Sequence, residues 1–201
     1  MAGDPRLQRM YALAFLLSGT RERAIAIGRH AVSLRPEFDR LSAVELDRLI
    51  VLSSREQGPS HEQAESTPGA QTGAPSGHGA VRLFDAAMRL RSSAREAWML
   101  REVIELDDTH AARAMDCSKI ALNRFVEIAQ HELGEHLTLD ALAGLRRLAD
   151  QVGQSESAAM LGASLGRDRR REQRSHQLLF TLCGLVLLWV TVEYACWQAV
   201  G

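Results

Sequence analysis

The chain has 201 residues, of which 46% are hydrophobic and 24% are charged, so it can bury a core and global disorder is excluded. Aromatic residues make up only 5%, which argues against a β-sandwich or a β-barrel. The 24 basic and 25 acidic side chains give no general argument for a nucleic acid partner, and three cysteines exclude a disulfide scaffold.

Three amphipathic helices are predicted within residues 5–56, the first of two expected small domains. The first helix carries its apolar residues on one broad face and ends at Gly19. The second helix spans 21–34 and the third spans 42–54, each with apolar residues at helical spacing. This part of the chain is therefore expected to be all-helical.

Residues 57–80 differ in composition from the helices on either side. They contain five Gly and three Pro and show no apolar periodicity. Such a segment cannot bury enough surface to offset its ordering entropy, so we expect a flexible linker. Helical spacing returns in 81–136, the second expected domain, and no alternating strand pattern occurs in the sequence. The predicted fold class is all-α, with two small helical domains joined by this linker.

The most informative stretch is 107–133, where a short helix, a three-residue turn and a longer helix match a helix-turn-helix. Ser118 is placed to cap the second helix. Such a motif reads a duplex with the outward side of its second helix, because that helix fits the major groove. The candidate DNA-binding residues are Ser118, Lys119, Ala121, Asn123, Arg124 and Glu127.

The chemistry of these candidates suits a groove, although the charge balance of the domain does not favour tight binding. Asn can pair with adenine, and Lys or Arg can pair with guanine or phosphate. Residues 81–136 hold eight basic and ten acidic side chains, a net charge of −2. Because phosphate neutralisation dominates affinity, we expect this domain alone to bind DNA weakly. An ordinary helical hairpin inside a bundle is the alternative interpretation.

A family resemblance rests on the helix before this motif. Residues 94–106, AREAWMLREVIEL, resemble the helix that opens the fourth region of bacterial RNA polymerase sigma factors of the extracytoplasmic-function type. In that family a pattern like RExAFLLREVEGLS precedes the helix-turn-helix, and the next stretch keeps register without a gap. A weaker resemblance covers 7–34, where the stretch YALAFLLSGTRERA at 11–24 is similar to the first helices of the family's second region.

The resemblance implies a DNA-binding regulator of transcription initiation, with promoter DNA and the RNA polymerase core as partners. The chain departs from the family pattern in four places. It has IAIGRH at 25–30 instead of an acidic DAEDLVQ-like motif, and it lacks an aromatic-rich melting segment between 31 and 43. Asp116 replaces a glycine and Phe125 a basic residue. These departures leave open a degenerate sigma-like interaction module that binds an anti-sigma factor or a membrane complex without DNA contact.

The sequence of the C-terminal part predicts a membrane anchor. Residues 178–192 are a run of 15 uncharged side chains, and extension to 197 gives the roughly 20 residues that a transmembrane helix needs. An amphipathic helix and an Arg-rich juxtamembrane segment are expected in 137–177. The arginines expected at the lipid surface are Arg167, Arg169, Arg170, Arg171 and Arg174. The positive-inside rule then predicts a single-pass anchor, with the N-terminal bulk on the cytoplasmic face of the inner membrane. A buried or oligomerising helix is the alternative.

No catalytic constellation emerges from the sequence, so we expect no enzyme activity, no cofactor and no metal. His131 and His136 resemble a zincin pair, but they are five residues apart, whereas two ligands on one helix face need a spacing of four. The glycines of the linker follow no strand and precede no GK[ST] motif. Cys117 stands alone and is expected to be a small core residue.

Overall fold

A computed structural model of the protein describes residues 4–35, 37–57, 78–155 and 158–163. Every regular element within these ranges is helical, which confirms the all-α part of the predicted fold class. The two longest described helices have 15 residues each. At a rise of about 1.5 Å per residue they fall short of a hydrocarbon core of about 30 Å.

The fold-class prediction therefore needs one correction, which concerns the transmembrane helix. Within the described ranges no helix is both long enough and apolar enough to cross a bilayer. The segment 178–197 that was predicted to span the membrane lies outside the described residues, as do the arginines of 167–174.

The N-terminal half contains α1 (Pro5–Ser18), α2 (Arg21–Leu34) and α3 (Ala43–Glu56). Gly19 ends α1 with a left-handed φ of 79°, a conformation that glycine adopts without steric penalty. The Thr20 side chain then caps α2. At the start of α3, Ser42 and Glu45 form a reciprocal capping box. These local signals explain why the helices begin where they do.

The second half contains α4 (His78–Arg89), α5 (Ser92–Trp98), α6 (Asp108–Met115), α7 (Lys119–Leu133) and α8 (Leu139–Gly153). The helix predicted over 94–106 is helical as far as Val103, but its second part is not α-helical. Residues Met99–Val103 form a π turn, in which the Ile104 N–H donates to the Met99 carbonyl oxygen at 2.9 Å. Glu105 follows with a left-handed φ of 59°. The chain thereby leaves the helix axis before α6 begins.

Helix α1 lies at the centre of the packing, because it contacts α2, α3 and α8. Its residues 10–14 are all buried, so neighbours cover it on several sides. A Cβ added at Gly153 of α8 would lie only 3.1 Å from the Gln8 carbonyl oxygen, which shows how closely these two helices approach. The described residues from 4 to 162 belong to one compact unit.

Candidate nucleic-acid interface

Helices α6 and α7 are joined by the three-residue turn that the sequence predicted. Asp116 ends α6 in the left-handed region, with φ 57° and ψ 45°. The Cys117 N–H donates to the Ala112 carbonyl oxygen at 3.0 Å, which closes the end of α6. Asp is one of the few residues other than glycine that visits this region readily. The bend therefore forms with an aspartate in the left-handed position.

Ser118 starts the second helix as predicted. Its hydroxyl oxygen accepts a hydrogen bond from the Ala121 N–H at 3.2 Å, which satisfies one of the unpaired donors at the helix start. Beneath the turn, the side chains of Leu122 and Met115 are at most 2% exposed. Ser118 thus has a structural role whether or not a ligand contacts it.

The outward side of α7 carries some of the predicted DNA-binding residues. Lys119, Arg124 and Glu127 are exposed, whereas Ala121 and Asn123 are half-buried. The opposite side is buried through Leu122, Val126, Ala129 and Leu133. This spacing of three and four residues leaves the helix with one open face.

Two apolar residues on α7 lie away from this buried stripe and were missed by the sequence reasoning. Ile120 is 84% exposed and Ile128 is 37% exposed. They stand one helical turn before and after Arg124. The sequence could have identified these two residues, because their positions do not fit the three-and-four spacing of the buried residues.

Arg101, in the π turn, is a further residue that the sequence reasoning missed. Its Nη1 donates to the Asn123 Oδ1 at 2.7 Å, and its Nε lies 3.4 Å from the Asp108 Oδ1. The guanidinium therefore joins the π turn to the first residue of α6 and to the second turn of α7. A contact between residues 22 positions apart left no local trace in the sequence.

Two arginines of helix α3 contact the helix-turn-helix. The Arg55 Nη2 donates to the Glu96 Oε2 at 2.7 Å and to the Met115 carbonyl oxygen at 3.4 Å. The Glu96 side chain is only 2% exposed. Arg48 adds an exposed ion pair, with its Nη2 3.3 Å from the Asp116 Oδ1. The turn between α6 and α7 is thus fixed to the N-terminal half of the protein.

Two titratable groups at the motif have shifted pKa values. The pKa of Asp107 is lowered, chiefly because its carboxylate accepts a hydrogen bond from the His110 N–H, and also one from the Thr109 N–H. The pKa of Cys117 is raised, chiefly by burial. A raised pKa keeps the Cys117 thiol protonated, which is unlike a nucleophile or a metal ligand.

Within the described residues, no group of three or more His, Cys, Asp or Glu side chains could hold a metal ion. His131, near the end of α7, and His136, in the following turn, are both exposed. Neither has a metal-binding geometry with the other groups nearby.

Comparisons with known proteins add no relative. No protein-family model, curated protein or solved structure matches the chain. The function proposed for the chain therefore depends on the geometry of α6, α7 and the residues that contact them.

Proposed function

We propose that the protein is a sigma-factor-like, DNA-binding regulator of transcription initiation, with α7 as its recognition helix. The observation that carries the proposal is the left-handed turn at Asp116, after which α7 presents an open face with Lys119 and Arg124 exposed. A helix that leaves a fixed turn with one side uncovered fits a major groove. The resemblance of 94–106 to the sigma fourth region points in the same direction.

The charges around α7 set the expected strength of binding. Lys119 and Arg124 can neutralise phosphates or donate to guanine, whereas Glu127 on the same face can accept from cytosine. Phosphates can also meet the open N–H groups at the start of α7. Because 81–136 carries a net charge of −2, the affinity of the isolated protein should be low and should depend strongly on salt. A partner such as the RNA polymerase core would supply the remaining contacts at a promoter.

The test uses the full chain, because α3 packs against α6 and α5 packs against α7. Fluorescence anisotropy would follow its binding to short duplexes with randomised central positions, starting at about 50 mM salt. Replacing both Lys119 and Arg124 by Ala should weaken binding and reduce the slope of log K against log salt by about 2. A pair of exposed arginines outside the motif, Arg82 and Arg147, provides a control with the same change in charge.

The proposal fails if the full chain shows no salt-dependent binding to any duplex. It also fails if the Lys119 and Arg124 variant binds no more weakly than the Arg82 and Arg147 control. Circular dichroism of each variant would establish that the helices are intact.

A second candidate function has its own observation. Ile120 is 84% exposed on the very face that would enter a groove, and large exposed apolar side chains are common at protein interfaces. A degenerate sigma-like module could use this face to bind an anti-sigma factor or another protein. On DNA, Ile120 could instead contact a thymine methyl group.

Replacing Ile120 by Ser separates the two functions. If α7 reads DNA, the variant should keep most of its affinity and lose a preference for thymine at one position. If α7 binds a protein, affinity purification with the wild-type chain should recover that protein, and recovery should fall sharply with the variant. Recovery of polymerase subunits would favour the first function.

A further inference from the structure

The hydrogen bond between Arg101 and Asn123 restricts what Asn123 can recognise. A guanidinium has only N–H donors, so the amide atom that faces Arg101 at 2.7 Å must be the oxygen Oδ1. The orientation of the Asn123 amide is therefore decided by its partner. Asp108 holds the same guanidinium through Nε at 3.4 Å, which fixes the direction of the donor.

The other end of the amide is available to a ligand. The Asn123 Nδ2 makes no hydrogen bond with any residue that the structure describes, and it is absent from the buried atoms that lack a partner. The two N–H donors of Nδ2 are therefore accessible to solvent, although the Asn123 side chain as a whole is half-buried. Because Arg101 occupies one of the two lone pairs of Oδ1, Asn123 faces a ligand chiefly with its two N–H donors.

This geometry conflicts with the pairing expected from the sequence. Asn recognises adenine through two bonds, in which Oδ1 accepts from N6 and Nδ2 donates to N7. The first bond is hindered when Oδ1 already accepts from Arg101. Guanine presents two acceptors, N7 and O6, to the same groove, and both can accept from the free Nδ2 group of Asn123.

We infer that Arg101 is a positioning residue that holds Asn123 as a donor and makes it select guanine rather than adenine in the major groove. The inference rests on the proposed DNA-binding function. Beyond that function, it states which base Asn123 of α7 recognises, and that Arg101, outside α7, determines this preference.

In the experiment, the full chain selects the duplexes that it binds best from a pool with randomised central positions. Asn123→Ala identifies the base position that Asn123 reads, since preference disappears there. The wild type should prefer guanine at that position. Arg101→Met removes the donor, releases Oδ1 and should move the preference from guanine to adenine by about fivefold or more in relative affinity. A loss of stability alone would weaken binding to all duplexes without changing the preferred base.

Two further variants sharpen the result. Asn123→Asp has nearly the same shape and can still accept from Arg101, but it donates nothing, so we expect guanine to be replaced by cytosine. Arg113, exposed on α6, is the matched control, because Arg113→Met removes a guanidinium from the same motif without touching Asn123. That control should leave the base preference unchanged.

Each negative outcome has its own meaning. Adenine preference in the wild type, or an unchanged preference in Arg101→Met, overturns the inference while DNA binding stands. Absence of salt-dependent binding to any duplex overturns the proposed function and the inference with it. Thermal unfolding of the single and double variants at 101 and 123 shows separately whether the pair exists, because paired residues give non-additive shifts.

Discussion

The ion pair between Arg55 and Glu96 gives the sharpest test of how α3 supports the helix-turn-helix. Glu96 is 2% exposed and Arg55 is 36% exposed, so the carboxylate is far from water while the guanidinium reaches it. Arg55 donates to the Glu96 Oε2 from both Nε and Nη2, at 3.0 and 2.7 Å. Replacing Arg55 by Met keeps the aliphatic stem but removes both hydrogen bonds of Arg55 to the buried Glu96 carboxylate, which keeps the electrostatic attraction of Arg95.

The expected loss follows from this asymmetry. Removing one partner of a buried ion pair costs about 3–5 kcal/mol, since a charge is left without compensation. Partial access of water beside Arg55 places the Arg55→Met variant near the lower end, at about 3 kcal/mol. For a chain of this size that corresponds to a fall of about 6–12 °C in the melting temperature. Glu96→Gln should cost less, because the remaining guanidinium can be solvated.

The assay is urea denaturation of the full chain, followed by circular dichroism and by tryptophan fluorescence, to which the buried Trp98 contributes. Arg48→Met is the matched control on the same helix. Its ion pair with Asp116 has side chains that are 49% and 66% exposed, and such a surface pair contributes about 0–1 kcal/mol. Equal losses in the two variants, or a larger loss in Glu96→Gln than in Arg55→Met, would refute the reasoning.

Two other substitutions test the packing and the capping of the fold. A Cβ at Gly144 would lie 2.8 Å from the Cβ of Ala80, so Gly144→Ala should force α4 and α8 apart and cost about 1–3 kcal/mol despite its better helix propensity; unchanged denaturation would contradict this close contact. Asp107→Ala removes the cap of α6 and should lower the melting temperature near neutral pH. Because the pKa of Asp107 is lowered from 3.8 in the folded protein, its contribution is complete above that value and is lost as pH falls through the folded pKa. The difference between wild type and Asp107→Ala should therefore shrink in acid, and a difference that grows there would exclude this cause.

Local signals made much of the helical pattern predictable. Ser118 caps the helix that the sequence assigned to it, and Thr20 and Asp107, which belong to residue types that favour caps, cap α2 and α6. These signals succeed because a cap acts on N–H groups only two or three residues away. The buried side of α7 likewise follows the three-and-four spacing of its apolar residues, which is a local pattern.

The features that lie between helices were not predictable in the same way. The π turn at Met99–Val103 consists of residues that suit an α-helix, and no local signal marks its extra residue. The contacts of α1 with α8, and of Arg101 with Asn123, join residues far apart in sequence. Local sequence patterns do not reveal such long-range pairs. The packing of the two halves against each other and the orientation of the Asn123 amide are therefore seen only in the structure.

The central place of α1 has a consequence for the newly made chain. Its buried residues face α8, whose last residue, Gly153, follows the end of α1 at Ser18 by well over one hundred positions. At a translation speed of about 5–20 residues per second, roughly ten seconds pass before the ribosome has added that partner. During this interval α1 can pack against α2 and α3, whereas the side of α1 that α8 covers stays open, so burial of the first helix is complete only after α8 has been synthesised.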